Sequence, residues 1–282
     1  VHLYADDSHL HLSYEPLHMV SAIDMINVDL EKILGWSMAN GLKLNIGKCT
    51  VLHTAPHNIV QSLSERGVMV RLDGQSLAVF DRARTLGVVL DSGLTFSDHV
   101  THACQRALGR LRGLYRFIGL LPESAKLRIM QSLVLSVFAY CFPAYRNSIS
   151  GEDMYRIQKL QNSAIRFIFN LKRFEHVSPY RDAAGMMSVE TVCRVMTCCM
   201  VHKALVNQEP QYLSEKLSFR DEVSQRRTRH GNLLHFPKVR LELGRRSFSY
   251  FSPKLYNDLP PNVKQCSIAT FKNKMRQNLL NV

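Results

Sequence analysis

The sequence predicts an α+β chain in which short hairpins and one long helix give way, near residue 97, to a run of helices. Three observations carry that expectation. Hydrophobic residues alternate in period two over short stretches within the first hundred residues. They recur at helical spacing from Ser97 onward. Turn signals such as Asp73-Gly74, Leu121-Pro122, Ser150-Gly151 and Ser178-Pro179 separate the segments.

The first element is a hairpin. Residues 1–4 read as a strand, and "SHLHLSY" alternates with Leu10 and Leu12 on one face and His9 and His11 on the other. Asp6 and Asp7 lie between, so the hairpin tip presents both carboxylates. Val20, Ile23, Ile26, Leu30, Ile33 and Leu34 then set a helix over about 17–40, with Asn40-Gly41 as its C-terminal stop. "LKLN" and "CTVLHT" read as short strands around Gly47-Lys48. "VMVRLDGQSLAVF" reads as a hairpin turning at Asp73-Gly74, and "TLGVVLD" as a further strand. Helices are expected near 98–118, 123–141, 152–171 and 188–206, then a partly irregular segment with a closing helix near 268–280.

Composition narrows the class. The 282 residues are 46% hydrophobic and 21% charged, which excludes a disordered chain. The net charge is +13, unevenly placed: 7 Lys and Arg against 11 Asp and Glu in residues 1–100, and 29 against 12 in the remainder. An acidic-leaning start followed by a basic body points to chemistry first and a polyanionic partner second. Seven cysteines at irregular spacing read as free thiols in a reducing compartment. The charge-free stretch Ile129–Tyr145 is shorter than the roughly 20 apolar residues of a spanning helix and reads as a buried helix, so no membrane partner is expected.

Adjacent carboxylates serve as cation ligands, as an acid/base pair or as turn residues. Side chains of neighbouring strand residues point to opposite faces, so both reach one metal only at a bend, which a hairpin tip provides. Hard oxygens there suit Mg²⁺ and the two-metal clamp of phosphoryl transfer. Two carboxylates are few for two ions, and no comparable hairpin downstream offers a third.

"LYADDSHL" resembles the Tyr-Ala-Asp-Asp motif of reverse transcriptases. "GLKLNIGKCTVL" and "TLGVVLDSGLTFSDHV" are similar to the palm segments that follow it in non-LTR (LINE-type, jockey-like) retrotransposon polymerases. "LPESAKLRIMQSLVLSVFAYC", "RIQKLQNSAIRFIFNLKRFEHVSPY", "YLSEKL" and "RRSFSYFSPKLYNDLPPNVKQCSIATFKNKM" continue in that family's order. The resemblance spans essentially the whole chain. It implies a partial palm over 1–97, a helical thumb over 98–187 and a basic C-terminal region over 188–282. It implies a parent enzyme that extends a DNA primer on an RNA template with Mg²⁺, acting in the nucleus. It also implies that a third catalytic aspartate, the fingers and an endonuclease belong to an upstream part of the same polyprotein, so that this portion alone does not polymerise.

Carried onto this sequence, Asp6 and Asp7 become metal ligands. Tyr4 and Ala5 shape the turn near the primer end, Lys48 serves as a general acid at the triphosphate, and Leu86 and Gly87 form a primer-gripping turn. Each has a plainer reading: a solvated turn, strand packing, a surface lysine and a bulge. Arg156, Lys159, Arg166 and Arg173 fall on one face of the 152–171 helix, opposite Ile157, Leu160, Ala164 and Ile168. That basic stripe suits a phosphate backbone, and Arg106, Arg110 and Arg112 extend it; a solvated helix face is the alternative. Arg226 and Arg227, with Arg245 and Arg246, form a further basic patch. Tyr250, Phe251 and Tyr256 either stack on bases or pack a core. Cys193, Cys198, Cys199 and His202 match no zinc-finger spacing and read as a buried helix face. The rival function is a non-enzymatic nucleic-acid-binding protein that uses the basic residues and not the aspartates.

Overall fold

The computed structural model describes residues 2–64, 67, 69–223 and 231–280. Helices take 59% of the chain and two-stranded sheets 8%, which makes the fold α+β. The chain divides into two compact units, Val1–Thr95 and Phe96–Val282.

The first unit carries three antiparallel hairpins. Strands β1 (His2–Tyr4) and β2 (Asp7–His9) pair as His2↔His9, Leu3↔Ser8 and Tyr4↔Asp7. Helix α1 (Met19–Ala39) follows a short 3₁₀ turn at Pro16–His18 and ends where Gly41 takes φ +67°. One face of α1 is apolar, and Met19 and Ile23 bury against Val70, Leu72 and Leu77, with Ile26, Leu30 and Leu34 alongside. Asn27 Oδ1 accepts the Arg71 N–H at 2.8 Å, fixing strand β3 (Arg71–Leu72) onto the helix. Strand β4 (Gln75–Ser76) closes that hairpin through Asp73 and Gly74, both in the left-handed region that a tight hairpin turn demands.

Several stretches depart from expectation. "LKLN" is irregular and leads into a 3₁₀ turn at Ile46–Lys48. Of "CTVLHT", only Val51 pairs, as a single parallel bridge to Val79. Leu44, Ile46, Cys49 and Val51 all pack on the α1 core, and a segment anchored by side chains has less need of ladder partners. Helix α2 (His57–Ser64) occupies a stretch not expected to be helical. Strand β5 (Arg82–Thr85) joins β6 (Val88–Asp91) through Leu86-Gly87, so "TLGVVLD" spans a hairpin tip as well as a strand.

The second unit is helical. Helix α3 (Ser97–Leu114) lies beside α7 (Gly151–Phe169) and runs the same way. Ser97 meets Asp153, Thr101 meets Arg156, and Tyr115 stacks edge-on to Phe167 with ring centres 5.4 Å apart. Between them come α4 (Glu123–Ile129), a π-helical turn at Met130–Leu135, α5 (Ser136–Ala139) and α6 (Phe142–Tyr145). Glu123–Tyr145 is the one stretch among the described residues long and apolar enough to cross a membrane by length and composition. Here its Met130, Val134, Phe138, Phe142 and Tyr145 are buried.

Helix α8 (Ser178–Ala183) leads to α9 (Val189–Asn207). The remainder holds α10 (Gln211–Ser214), α11 (Arg220–Val223), α12 (Glu242–Arg246), α13 (Phe248–Asn257), α14 (Pro261–Lys264) and α15 (Ile268–Leu280). Val195, Cys198 and Val201 of α9 pack with Leu234, Tyr256, Val263, Phe271 and Met275.

Two buried charges organise this unit. The Asp153 carboxylate is 4% exposed. It accepts from Ser97 Oγ at 2.6 Å, Ser150 Oγ at 3.0 Å and Arg156 Nη1 at 2.9 Å. Lys126, 1% exposed, donates from Nζ to Asn170 Oδ1 at 2.7 Å above the Phe167 ring. Asp153→Ala removes the acceptor shared by Ser97, Ser150 and Arg156; the partly exposed guanidinium returns to solvent, and leaving the part-buried hydroxyls without it costs about 1–3 kcal/mol. The urea midpoint of the variant should fall accordingly, with the slope of the transition unchanged. A loss below about 1 kcal/mol, the scale of an exposed pair, would show the carboxylate to be peripheral.

Candidate functional site

The acidic hairpin turns in two residues. Ala5 adopts φ +51°, the left-handed region in which a non-glycine residue bears strain of order 1–3 kcal/mol. Asp6 completes the turn, and Asp7 opens β2 opposite Tyr4. Both carboxylates are exposed, as are Tyr4 and Ala5. The tip therefore carries Asp6, while Asp7 shares the face of Tyr4, His2 and His9. Among the described residues no group of three or more His, Cys, Asp or Glu is placed to hold a metal ion. Two carboxylates supply part of a Mg²⁺ shell, the remainder of which is ordinarily water and substrate phosphate.

Lys48 is exposed at the end of the 3₁₀ turn. No hydrogen bond or ion pair joins it to Asp6 or Asp7 among the described residues. Leu86 and Gly87 form the β5–β6 tip, with φ +46° and +83°. The glycine thus serves a hairpin turn, where a bulge was the plainer expectation, and Leu86 is exposed there.

The basic stripe on α7 is only partly available. Arg156 is held by Asp153 and by Thr101 Oγ1 at 3.1 Å. Arg166 turns to the Glu175 carbonyl at 3.3 Å. Lys159 is exposed and sits over the Tyr155 ring at 4.5 Å, and Arg173 is exposed and sits over Phe174 at 5.7 Å. On α3, Arg106 and Arg112 are exposed, whereas Arg110 Nη1 donates to the Leu133 carbonyl of the π turn at 2.7 Å. Arg226 and Arg227 lie outside the described residues. Arg245 and Arg246 face Glu242 at 3.8 and 3.7 Å. Tyr256 is buried, and Tyr250 packs edge-on to Phe236.

The sequence reading missed the aromatic partners. Tyr155 is 60% exposed and Phe174 89%, and Arg116 sits over the exposed Phe117 at 5.7 Å. Because α3 and α7 run in parallel, the Arg116–Phe117 and Arg173–Phe174 pairs lie beyond the same ends of the two helices. The signal was present as a cation adjacent to an aromatic, or four residues along a helix from one.

The cysteine-rich helix is structural. Burial pushes the Cys193 thiol up to about 11 and Cys198 up to about 12, so both stay protonated. His202 Nε2 lies 2.9 Å from the Cys266 carbonyl and Nδ1 lies 2.9 Å from the Tyr256 hydroxyl. A carbonyl only accepts, so Nε2 carries the proton and Nδ1 accepts from the tyrosine. The ring stacks on Phe271 at 3.9 Å.

Comparison with family models, curated proteins and solved structures finds no match.

Two measurements check this geometry. Burial holds His202 below its ordinary value of 6.5, against a smaller opposing effect of the Cys266 carbonyl. The unfolded ring then protonates first as pH falls, so stability should drop from pH 6.5 downward until the buried ring also titrates. Comparing the urea midpoints of the parent and His202→Asn across that window isolates this component, and equal slopes would contradict it. A thiol reagent should label the exposed Cys141 well before Cys193 and Cys198 in the folded protein.

Proposed function

We propose that the chain is the C-terminal part of the RNA-directed DNA polymerase of a non-LTR retrotransposon. In this reading residues 1–97 close the palm, 98–187 form the thumb and 188–282 form a basic C-terminal region. One observation carries it: Asp6 completes a two-residue hairpin turn that Tyr4 leads into, and Asp7 opens the strand after it, at the head of an ordered series of family-like segments. The template is RNA, the primer is DNA, and the reaction takes place in the nucleus. Mg²⁺ belongs to the complete enzyme, whose further carboxylate comes from outside the described residues. This portion alone is inactive.

The chain's own residues have separate tasks. Asp6 and Asp7 offer carboxylate oxygens at an exposed tip, where a further palm strand has room to approach. Lys48 is not brought to that tip and carries no step here. Lys159 and Arg173 supply phosphate contacts, and Tyr155 and Phe174 offer faces on which unpaired bases stack. Those four residues also support the second reading, a non-enzymatic nucleic-acid binder, because they need no carboxylate.

Joined to the fingers and upstream palm of a related polymerase, the chain should extend a DNA primer on RNA with Mg²⁺, and Asp6→Asn should abolish extension. Inactivity of the parent fusion, or activity that survives Asp6→Asn, counts against the polymerase reading. For binding, Lys159→Ala with Arg173→Ala should weaken a labelled single strand and lower the salt slope by about 1.4. Asp6→Asn should leave that binding unchanged.

A further inference from the structure

A second group of cations lies on the C-terminal helices, and nothing in the fold neutralises it. Helix α15 carries Lys272, Lys274 and Arg276, and residues 259–282 contain no Asp or Glu. Helix α9 has one acid, Glu190, which is tied to Arg146 at the opposite end of the helix from Lys203. Lys203, Lys272 and Arg276 are exposed, and no hydrogen bond or ion pair engages their side chains among the described residues.

Packing brings these three to one seam. The His202 and Phe271 rings stack 3.9 Å apart where α9 meets α15. Phe271 and Met275 turn inward, each 1% exposed, which sets Lys272 and Arg276 together on a flank of α15, one turn apart. That flank faces α9: burial raises the Cys199 thiol, and the charges that oppose the rise are Lys272 and Arg276. Lys203 lies one turn along α9 from Cys199, on the same face.

We propose that the α9–α15 seam, through Lys203, Lys272 and Arg276, is a docking surface for the phosphate backbone of duplex nucleic acid. Unneutralised cations on neighbouring turns suit a polyanion. Neither helix exposes an aromatic ring, so bases find no stacking face and only phosphates are engaged. That favours the denser charge of a duplex, one phosphate per about 1.7 Å of axis against about 3.4 Å for one strand. With Phe271 and Met275 in the core, α15 lacks the apolar face that holds a helix in a lipid interface. The surface uses none of the residues assigned above, neither the carboxylates nor the cation–aromatic pairs of α7.

The test is salt-dependent binding of the whole chain to a labelled duplex of mixed sequence. Lys203→Gln with Lys272→Gln and Arg276→Gln should weaken binding at least about tenfold at low salt and lower the salt slope by about 2.7, three contacts at about 0.9 each. Lys203→Arg with Lys272→Arg and Arg276→Lys keeps the charge and should preserve binding. Lys32→Gln with Lys43→Gln and Arg71→Gln removes equal charge from exposed positions of the first unit and should leave the slope unchanged. Circular dichroism of each variant separates loss of the surface from loss of the fold. Duplex binding that survives in the folded neutral variant but is lost in Lys159→Ala with Arg173→Ala overturns the seam and leaves the nucleic-acid readings standing. A parent that binds neither duplex nor single strand overturns both. Binding to phosphatidylserine vesicles in place of duplex, lost in the neutral variant, overturns the assigned partner.

Discussion

The Asp153 carboxylate is the hub on which the helical unit depends. A buried charge is tolerable only when its oxygens are fully engaged, and three groups, Ser97, Ser150 and Arg156, do this. Ser150 caps α7 by accepting the Asp153 N–H and donating back to its carboxylate. Ser97 brings the first turn of α3 to the same oxygen, and Arg156 neutralises the charge while reaching Thr101. The register between α3 and α7 is thus set by hydrogen bonds at one end, and the apolar faces of both helices pack from there. Lys126 and Asn170 repeat the device where α7 ends.

That constraint has a functional cost and a functional benefit. Arg156 belongs to the basic stripe by spacing, yet its guanidinium is occupied inside the fold. Arg166 and Arg110 are drawn to backbone carbonyls in the same way. What remains outward is sparser and different in kind: Lys159 and Arg173, each over an exposed aromatic ring. A surface of cations paired with ring faces suits unpaired bases better than a bare row of charges does, because stacking adds to phosphate contact.

The first unit works by a different rule. Its hairpins are short, and their turns put Ala5, Asp73 and Leu86 into left-handed backbone that only glycine adopts without strain. Asp73 has Gly74 beside it, and that hairpin packs on α1. The acidic hairpin has exposed strands on both sides of a strained turn, and this leaves the Asp6 and Asp7 carboxylates in solvent.

Local pattern was enough to determine much of this protein. The long helices, the Asp73-Gly74 hairpin, the closing helix and the placement of Asp6 at a turn follow from periodicity and turn chemistry, which act between residues a few positions apart; Asp7 instead opens strand β2. Only the tertiary structure decided the rest. Whether Leu44 and Val51 form strands depends on the apolar surface of α1 beneath them. Whether Arg156 meets solvent or is held against α3 depends on Thr101, more than fifty residues away. That the buried His202 is held by Tyr256, Cys266 and Phe271 is set by residues more than fifty positions away. The physical reason is common to all three. A side chain's spacing says which face it occupies, but its chemistry is set by what that face is packed against, and those partners are distant in the chain.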